Sequence, residues 1–199
     1  MPSIVALLHG IVHIAHDSLY ICMTIRPACY ATEVSQMKTT IPPSIHAFWG
    51  AFTSAIGHDP SDRFYEVFHF DDNAPSADEL AALVLSGRKR AGAALVWTYE
   101  SEGKPTPKPG DLSVVTLFSG RPVCVIETEG IQIVPFSRVD ANFAATEGEG
   151  DGSLAYWQRA HKAFFGRECQ RLGREFGLDA PIVCERFAVV YRGASENAV

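Results

Sequence analysis

The sequence has no surplus of positive charge. Seventeen lysines and arginines face 23 aspartates and glutamates, for a net charge of −6 and a pI near 5.6. Proteins that wrap duplex nucleic acid carry a basic face and a high pI. Any nucleic-acid affinity here therefore needs a local basic cleft, and small nucleic-acid ligands suit the charge balance better than long duplexes. Paired cysteines are missing as well. Cys22, Cys29, Cys124, Cys169 and Cys184 are odd in number and widely spaced, with no Cys-x-x-Cys pair. That spacing argues against a disulfide framework or a zinc site and for a reducing compartment, so a cytoplasmic location is expected. Cys124 and Cys184 fall in apolar, strand-like runs that suit buried, inert thiols.

No apolar run reaches the roughly 20 residues that span a bilayer. The nearest approach, 4–15, is broken by His9 and His13. The first charge is the acidic Asp17, so the basic start of a secretory signal is absent. No membrane partner is expected. There is no internal repeat and no low-complexity tract.

What is present is ordinary for a globular chain of 199 residues, 47% hydrophobic with twelve Phe and three Trp. At this size folding buries roughly 70% of the unfolded chain's surface. Residues 1–36 read as a separate, poorly ordered extension with only three charges, Asp17, Arg26 and Glu33. His9, His13 and His16 have helical spacing, yet no acidic or thiol partner completes a metal site. Met37 opens the patterned region and is a second candidate for the start of translation. Residues 37–193 are expected to form one unit, followed by a tail at 194–199.

Within that unit Ile45, Phe48, Trp49 and Phe52 recur at helical spacing and Gly57 closes the helix. A strand is predicted over 64–70. Ser76 and Glu79 form a capping-box pattern opening a second helix that runs to Gly87. Strands are predicted over 91–99, 112–118, 123–134 and 182–191, the middle two joined by a hairpin at Ser119-Gly120-Arg121. A short helix is predicted over 136–146, an acidic glycine-rich loop over 147–152, and a long helix carrying Leu154, Trp157, His161, Phe164, Phe165, Leu172 and Phe176 on one stripe. Mostly antiparallel strands with helices between and after them predict an α+β barrel rather than a doubly wound sheet.

Three stretches carry a family resemblance: Leu83-Val-Leu-Ser-Gly-Arg-Lys-Arg-Ala-Gly92; Pro107-Lys-Pro-Gly-Asp-Leu-Ser-Val-Val-Thr116 with Arg121-Pro-Val-Cys-Val-Ile-Glu-Thr128; and Phe143-Ala-Ala-Thr-Glu-Gly-Glu-Gly-Asp-Gly-Ser153 with the Tyr156, Trp157 and His161 helix. Together they resemble the ASCH domain, in the subfamily called YhfF-like, over about 68–192. The first is similar to that family's Gly-x-Lys-x-x-Thr signature. The resemblance implies a PUA-like, mostly antiparallel β-barrel with flanking helices. It also implies a partner that is RNA or a small, modified nucleoside or nucleotide, bound in a cleft lined by Lys89 and Glu147. Some relatives hydrolyse the acyl-amide of acetylated cytidine, which makes an amidohydrolase using Lys89 and Glu147 the alternative. A ribonuclease or a protein-interaction domain without catalysis is a further one.

The residues themselves give these expectations a chemical form. Gly87-Arg88-Lys89-Arg90 gathers three cations where a helix meets a strand, a corner suited to a phosphate or a polarised carbonyl. A solvated turn is the plainer reading. Glu147, Glu149 and Asp151 precede a helix N-terminus, where carboxylates either serve the helix dipole or raise one another's pKa for acid–base work. As a calcium loop the segment fails at its twelfth position, which is Gln158. Trp157 and Tyr156 could stack a base, and His161 is either packed or part of the site. Glu127, polar within an apolar strand, is expected to pair with Lys89 or to face the barrel mouth. The family's hydrolases place a nucleophilic threonine three residues after the lysine, and here that position is Gly92. A glycine has no hydroxyl, so that covalent route is closed. No cofactor and no metal are expected.

Overall fold

The first helix, α1 (His46–Ile56), forms as its apolar spacing predicts and ends on Gly57, whose φ of 79° is the left-handed conformation of a glycine cap. Its aromatic face packs Trp49 and Phe52 against Phe64, Leu112, Val114 and Val125. This structure is a computed structural model describing residues 40–193. The expected extension at 1–36, with its histidines and two cysteines, and the tail at 194–199 lie outside the described residues.

Five strands form one sheet in the order β1 (Phe64–Phe68), β3 (Leu112–Thr116), β4 (Pro122–Pro135), β5 (Pro181–Arg192), β2 (Ala91–Leu95). Only β1 with β3 is parallel; the other three pairings are antiparallel. The α+β class and the mostly antiparallel order are as expected. The sheet does not close, however. The β4–β5 ribbon carries irregularities at Val125/Ile126 and at Thr128/Gly130. β3 pairs with the first half of β4, whereas β2 pairs with β5 over Ile182–Arg186, beside the second half of β4. The outer strands β1 and β2 thus lie at offset ends of the ribbon. They do not bond to each other, and both contribute side chains to the wall of one cavity.

Three elements differ locally from the sequence reading. The second helix, α2 (Ala74–Leu85), starts two residues before Ser76, because Asn73 is its cap and accepts from the Ser76 amide at 3.1 Å. Pro75 fits its first turn, where a missing N–H costs nothing. The strand predicted over 91–99 stops at Leu95 and becomes α3 (Val96–Glu102). Leu95 pairs with Ile182, and β5 begins at Pro181, which lacks an N–H to continue the ladder. The helix predicted over 136–146 divides into a 3₁₀ turn, Phe136–Arg138, and α4 (Ala141–Glu147) capped by Asp140. Glu147 is therefore the last residue of a helix rather than the first of a loop.

The long helix α5 (Leu154–Arg171) is capped by Ser153. It buries Trp157, His161, Phe165 and Cys169 against Phe136, Phe143, Leu95 and Ile182. Cys124 and Cys184 are buried free thiols, and burial pushes both up to about 12. Among the described residues no helix is long and apolar enough to cross a membrane.

Candidate functional site

Lys89 is aimed inward by the way α2 ends. Gly87 turns the chain with φ of 77°, and the Arg88 and Lys89 amides both donate to the Leu83 carbonyl at 3.0 Å. Arg90 then ties the segment down on both sides. Its amide donates to Thr146 O, and its carbonyl accepts from the Phe187 amide, each at 3.0 Å. The resulting position holds the Lys89 side chain at 1% exposure, unusual for lysine.

Glu147, also 1% exposed, is presented by the end of α4. Gly148 follows with φ of 66°, and a Cβ added there would stand 2.5 Å from Arg88 O. Gly148→Ala is therefore expected to cost about 1–3 kcal/mol or more from backbone strain alone, with the Arg88–Lys89 turn displaced as well. Urea unfolding measures the loss; an unchanged midpoint would mean that the turn yields freely.

A buried charge needs a partner, and here the partners form a chain. Lys89 Nζ lies 2.9 Å from Glu147 Oε1 and 2.5 Å from Glu149 Oε1. Trp157 Nε1 donates to Glu147 Oε2, and His161 Nε2 stands 3.4 Å from the same oxygen. His161 stacks on Trp157 with ring centroids 4.2 Å apart, and its Nδ1 lies 3.1 Å from Trp157 O. Lys89 also sits over the Phe70 ring, 5.1 Å from the centroid. Burial alone would lower the Lys89 pKa, but Glu147 and Glu149 outweigh it and hold the ammonium above its ordinary value. Burial would likewise raise Glu147, and Lys89, His161 and Trp157 outweigh it and keep the carboxylate below its ordinary value. The pair is charged, and both Glu147 oxygens are engaged.

Lys89, Glu147, Glu149 and His161 line one cavity of about 470 Å³, within the range of about 300–1,000 Å³ typical of small-molecule sites. Its walls include Phe68, Phe70, Tyr99, Tyr156 and Phe164. Seven carboxylates line it (Glu66, Asp71, Glu79, Glu147, Glu149, Glu168 and Glu185) against the two cations Lys89 and Arg167. Glu147, Glu149 and His161 also offer ligand atoms within 4.8 Å of one another. The Lys89 ammonium already lies against both carboxylates, so a divalent ion there would have to compete with it.

The other expected site residues are placed differently. Trp157 is buried behind Glu147 and holds it, outside the cavity wall. Arg88 is exposed and donates to Gly150 O, bracing the glycine loop. Arg90 lines a separate groove. Asp151 is exposed and accepts from the Ser153 amide at 2.8 Å, within the loop that precedes α5. The expected Lys89–Glu127 pair does not form. Glu127 pairs instead with Arg63 at 2.9 Å, away from the cavity, because its place in the β3–β4 register sets it opposite Leu112. Gly92 does line the cavity, and a Cβ there would meet only Phe187 Cε1 at 3.9 Å. The missing threonine hydroxyl is therefore not a matter of space.

A second polar group in the same cavity has no site role in the sequence expectations. Glu185 accepts from Thr128 Oγ1 at 2.6 Å, and burial, with Glu66 and Asp111 nearby, pushes its pKa up to about 7. Glu66 pairs with Lys104 at 2.5 Å, yet burial still raises it. Burial and the neighbouring Glu66 and Glu185 raise the Tyr99 phenol as well. The available signal was a carboxylate interrupting an apolar strand, at Glu66 in β1 and Glu185 in β5. Which cavity such a residue enters depends on sheet register, which the sequence alone does not supply.

An α+β domain with a PUA-like sheet and a buried Lys–Glu pair opening on a cavity of about 470 Å³ is the class that these features define. The ASCH domain family model matches residues 66–191, and the chain belongs to that family. It is similar to the crystal structure of an ASCH domain from Lactobacillus crispatus JV V101, with 37% identity, TM-score 0.71, and coverage of 77% of this chain and 98% of that one. It is also similar to a protein from Enterococcus faecalis V583, with 28% identity, TM-score 0.67, and coverage of 78% and 97%. A comparison with curated proteins finds no match.

Proposed function

We propose that the cavity binds an uncharged nucleoside or modified nucleoside, with Lys89 donating to a carbonyl of the base. The observation that carries this reading is the buried Lys89 in a cavity with aromatic walls. An ammonium has three donors, and Glu147 and Glu149 engage it from their side, which leaves donor capacity for a ligand oxygen. Carboxylates in the same wall suit the exocyclic amine of a base, and the rings of Phe70, Tyr99 and Tyr156 suit its faces. The surplus of carboxylates disfavours a phosphate. The basic corner expected at Lys89 is thus a neutralised one, and a nucleoside fits it better than a nucleotide.

The test is a calorimetric titration with cytidine and with cytidine 5′-monophosphate. Cytidine should bind, and the nucleotide should bind at least about tenfold more weakly, a difference of about 1.4 kcal/mol. Ala160→Phe, which places a ring in the cavity from α5, should abolish binding without unfolding the chain. Equal or tighter binding of the nucleotide, or binding that survives Ala160→Phe, would remove the assignment.

A hydrolytic reading would need a water as nucleophile, since Gly92 lines the same cavity and offers no hydroxyl. Glu147 is poorly suited to act as its base, since both oxygens are taken and its pKa is lowered. Release of acetate from acetylcytidine by the wild type, lost in Glu147→Gln, would favour a hydrolase over a binding domain.

A further inference from the structure

The cavity has a second end, and its chemistry is unlike that at Lys89. The β2–β5 pairing sets Gly92 directly opposite Glu185, and residues directly opposite in an antiparallel pair share a face of the sheet. Both line the cavity. A Cβ on Gly92 would meet only Phe187 Cε1, at 3.9 Å, so the space beside the Glu185 carboxyl is open.

Thr128 Oγ1 donates to Glu185 Oε1 at 2.6 Å, which fixes the carboxyl and leaves Oε2 for a ligand. Lys104, the cation felt at Glu185, is committed to Glu66 at 2.5 Å. Glu185 thus has a hydroxyl for its partner and no ammonium. The other groups whose charge reaches it are Glu66 and Tyr65 of β1, Tyr99 of α3 and Asp111 before β3, none of them positive. Helices α2 and α5 add Glu79, His161 and Glu168 to the same cavity. On the acid side of neutrality Glu185 is therefore a carboxylic acid, with an O–H donor beside an acceptor.

Cytosine presents a matching edge. Its ring N3 accepts, its exocyclic N4 donates, and its carbonyl O2 lies on the other side of N3. A carboxylic acid meets N3 and N4 in a two-point contact, whereas a carboxylate only accepts and faces the N3 lone pair. Uracil reverses the pattern, since its N3–H is a donor that a carboxylate accepts. Gly92 follows Lys89 by three residues, at most about 11 Å of backbone, so one base can reach both ends of the cavity with O2 toward Lys89.

We propose that Glu185 is the residue that selects the base, holding cytosine through N3 and N4 as a neutral acid in the opening beside Gly92. On the nucleoside reading of the cavity, on which this role rests, cytidine is preferred over uridine below neutral pH and loses that advantage above it.

Calorimetric titration of the full chain with cytidine and with uridine, at about pH 6 and about pH 8.5, tests this. The protonated form is the one that binds cytidine, so its affinity should fall at least about tenfold between the two pH values as that form is depleted. Uridine should not lose affinity over the same range. Glu185→Gln keeps a donor and an acceptor with no proton to lose. It should bind cytidine equally at both pH values, and at the higher one at least about tenfold more tightly than the wild type. Gly92→Leu, which fills the opening from β2 and leaves Glu185 in place, should weaken cytidine at least about tenfold at about pH 6. Equal cytidine affinity of the wild type at the two pH values, or a fall that Glu185→Gln does not remove, would overturn the role of Glu185 and leave the nucleoside reading standing. Failure of the wild type to bind cytidine at either pH would overturn both.

Discussion

Lys89→Met is expected to lower the stability of the domain by about 3–5 kcal/mol, because it strands Glu147 as a buried and uncompensated charge. Glu147 lies at 1% exposure, and of its neighbours only Lys89 carries a permanent positive charge within hydrogen-bond distance. Glu149 is partly exposed and can turn to water, so most of the loss falls on Glu147. Glu147→Gln should also destabilise, since its amide presents a donor either to the Lys89 ammonium or to the Trp157 N–H. The double variant Lys89→Met, Glu147→Gln should then lose less than the sum of the two single losses, by about 2 kcal/mol. Urea unfolding of all four proteins gives this coupling directly, provided that the slopes stay equal. Additive losses would mean that the pair is incidental to the fold.

Stability should also fall as pH rises from about 5 to 7, and Glu185 should be the cause. Its carboxyl titrates from the ordinary 4.5 in the unfolded chain and at about 7 in the fold. Between these values the folded state holds a proton that the unfolded state has released, so raising the pH favours unfolding, by about 2–3 kcal/mol across the window. Glu185→Gln should flatten that fall and leave the variant more stable than the wild type at pH 8. Glu147 works in the opposite sense. Its folded pKa is depressed, so its contribution is present above the ordinary carboxylate value and disappears as acid protonates it. Thermal unfolding from pH 4 to pH 8 should therefore show a maximum near about pH 5. A wild-type curve that rises steadily from pH 5 to pH 8 would contradict the burial of Glu185.

Much of this architecture was legible in the residues. The 3.6-residue spacing of Ile45, Trp49 and Phe52, the β-branched runs around Val114 and Val125, and the motif at Lys89 all lead to the observed elements. What the residues do not contain is register. Val96-Trp-Thr-Tyr99 has strand chemistry and still folds as a helix, because its partner strand starts at a proline. Glu127 and Glu185 look alike as lone carboxylates in apolar strands. Pairing sends one to Arg63 at the surface and the other into the cavity. The same limit applies to Arg88, Lys89 and Arg90, three adjacent cations that face a glycine loop, a buried carboxylate pair and a separate groove. Their shared sign suggested one basic corner, whereas the turn at Gly87 and the backbone hydrogen bonds that follow it send them into three different environments.

The buried lysine, named by motif and found against Glu147, is the centre of the functional proposal. A crystal structure of the protein soaked with cytidine tests it most directly. The expected result is the base inside the cavity beside Phe70 and Tyr156, with its carbonyl oxygen at hydrogen-bond distance, about 2.7–3.2 Å, from Lys89 Nζ. An empty cavity at a cytidine concentration that saturates the protein in solution, or a nucleoside seated in the groove lined by Arg90 instead, would contradict it.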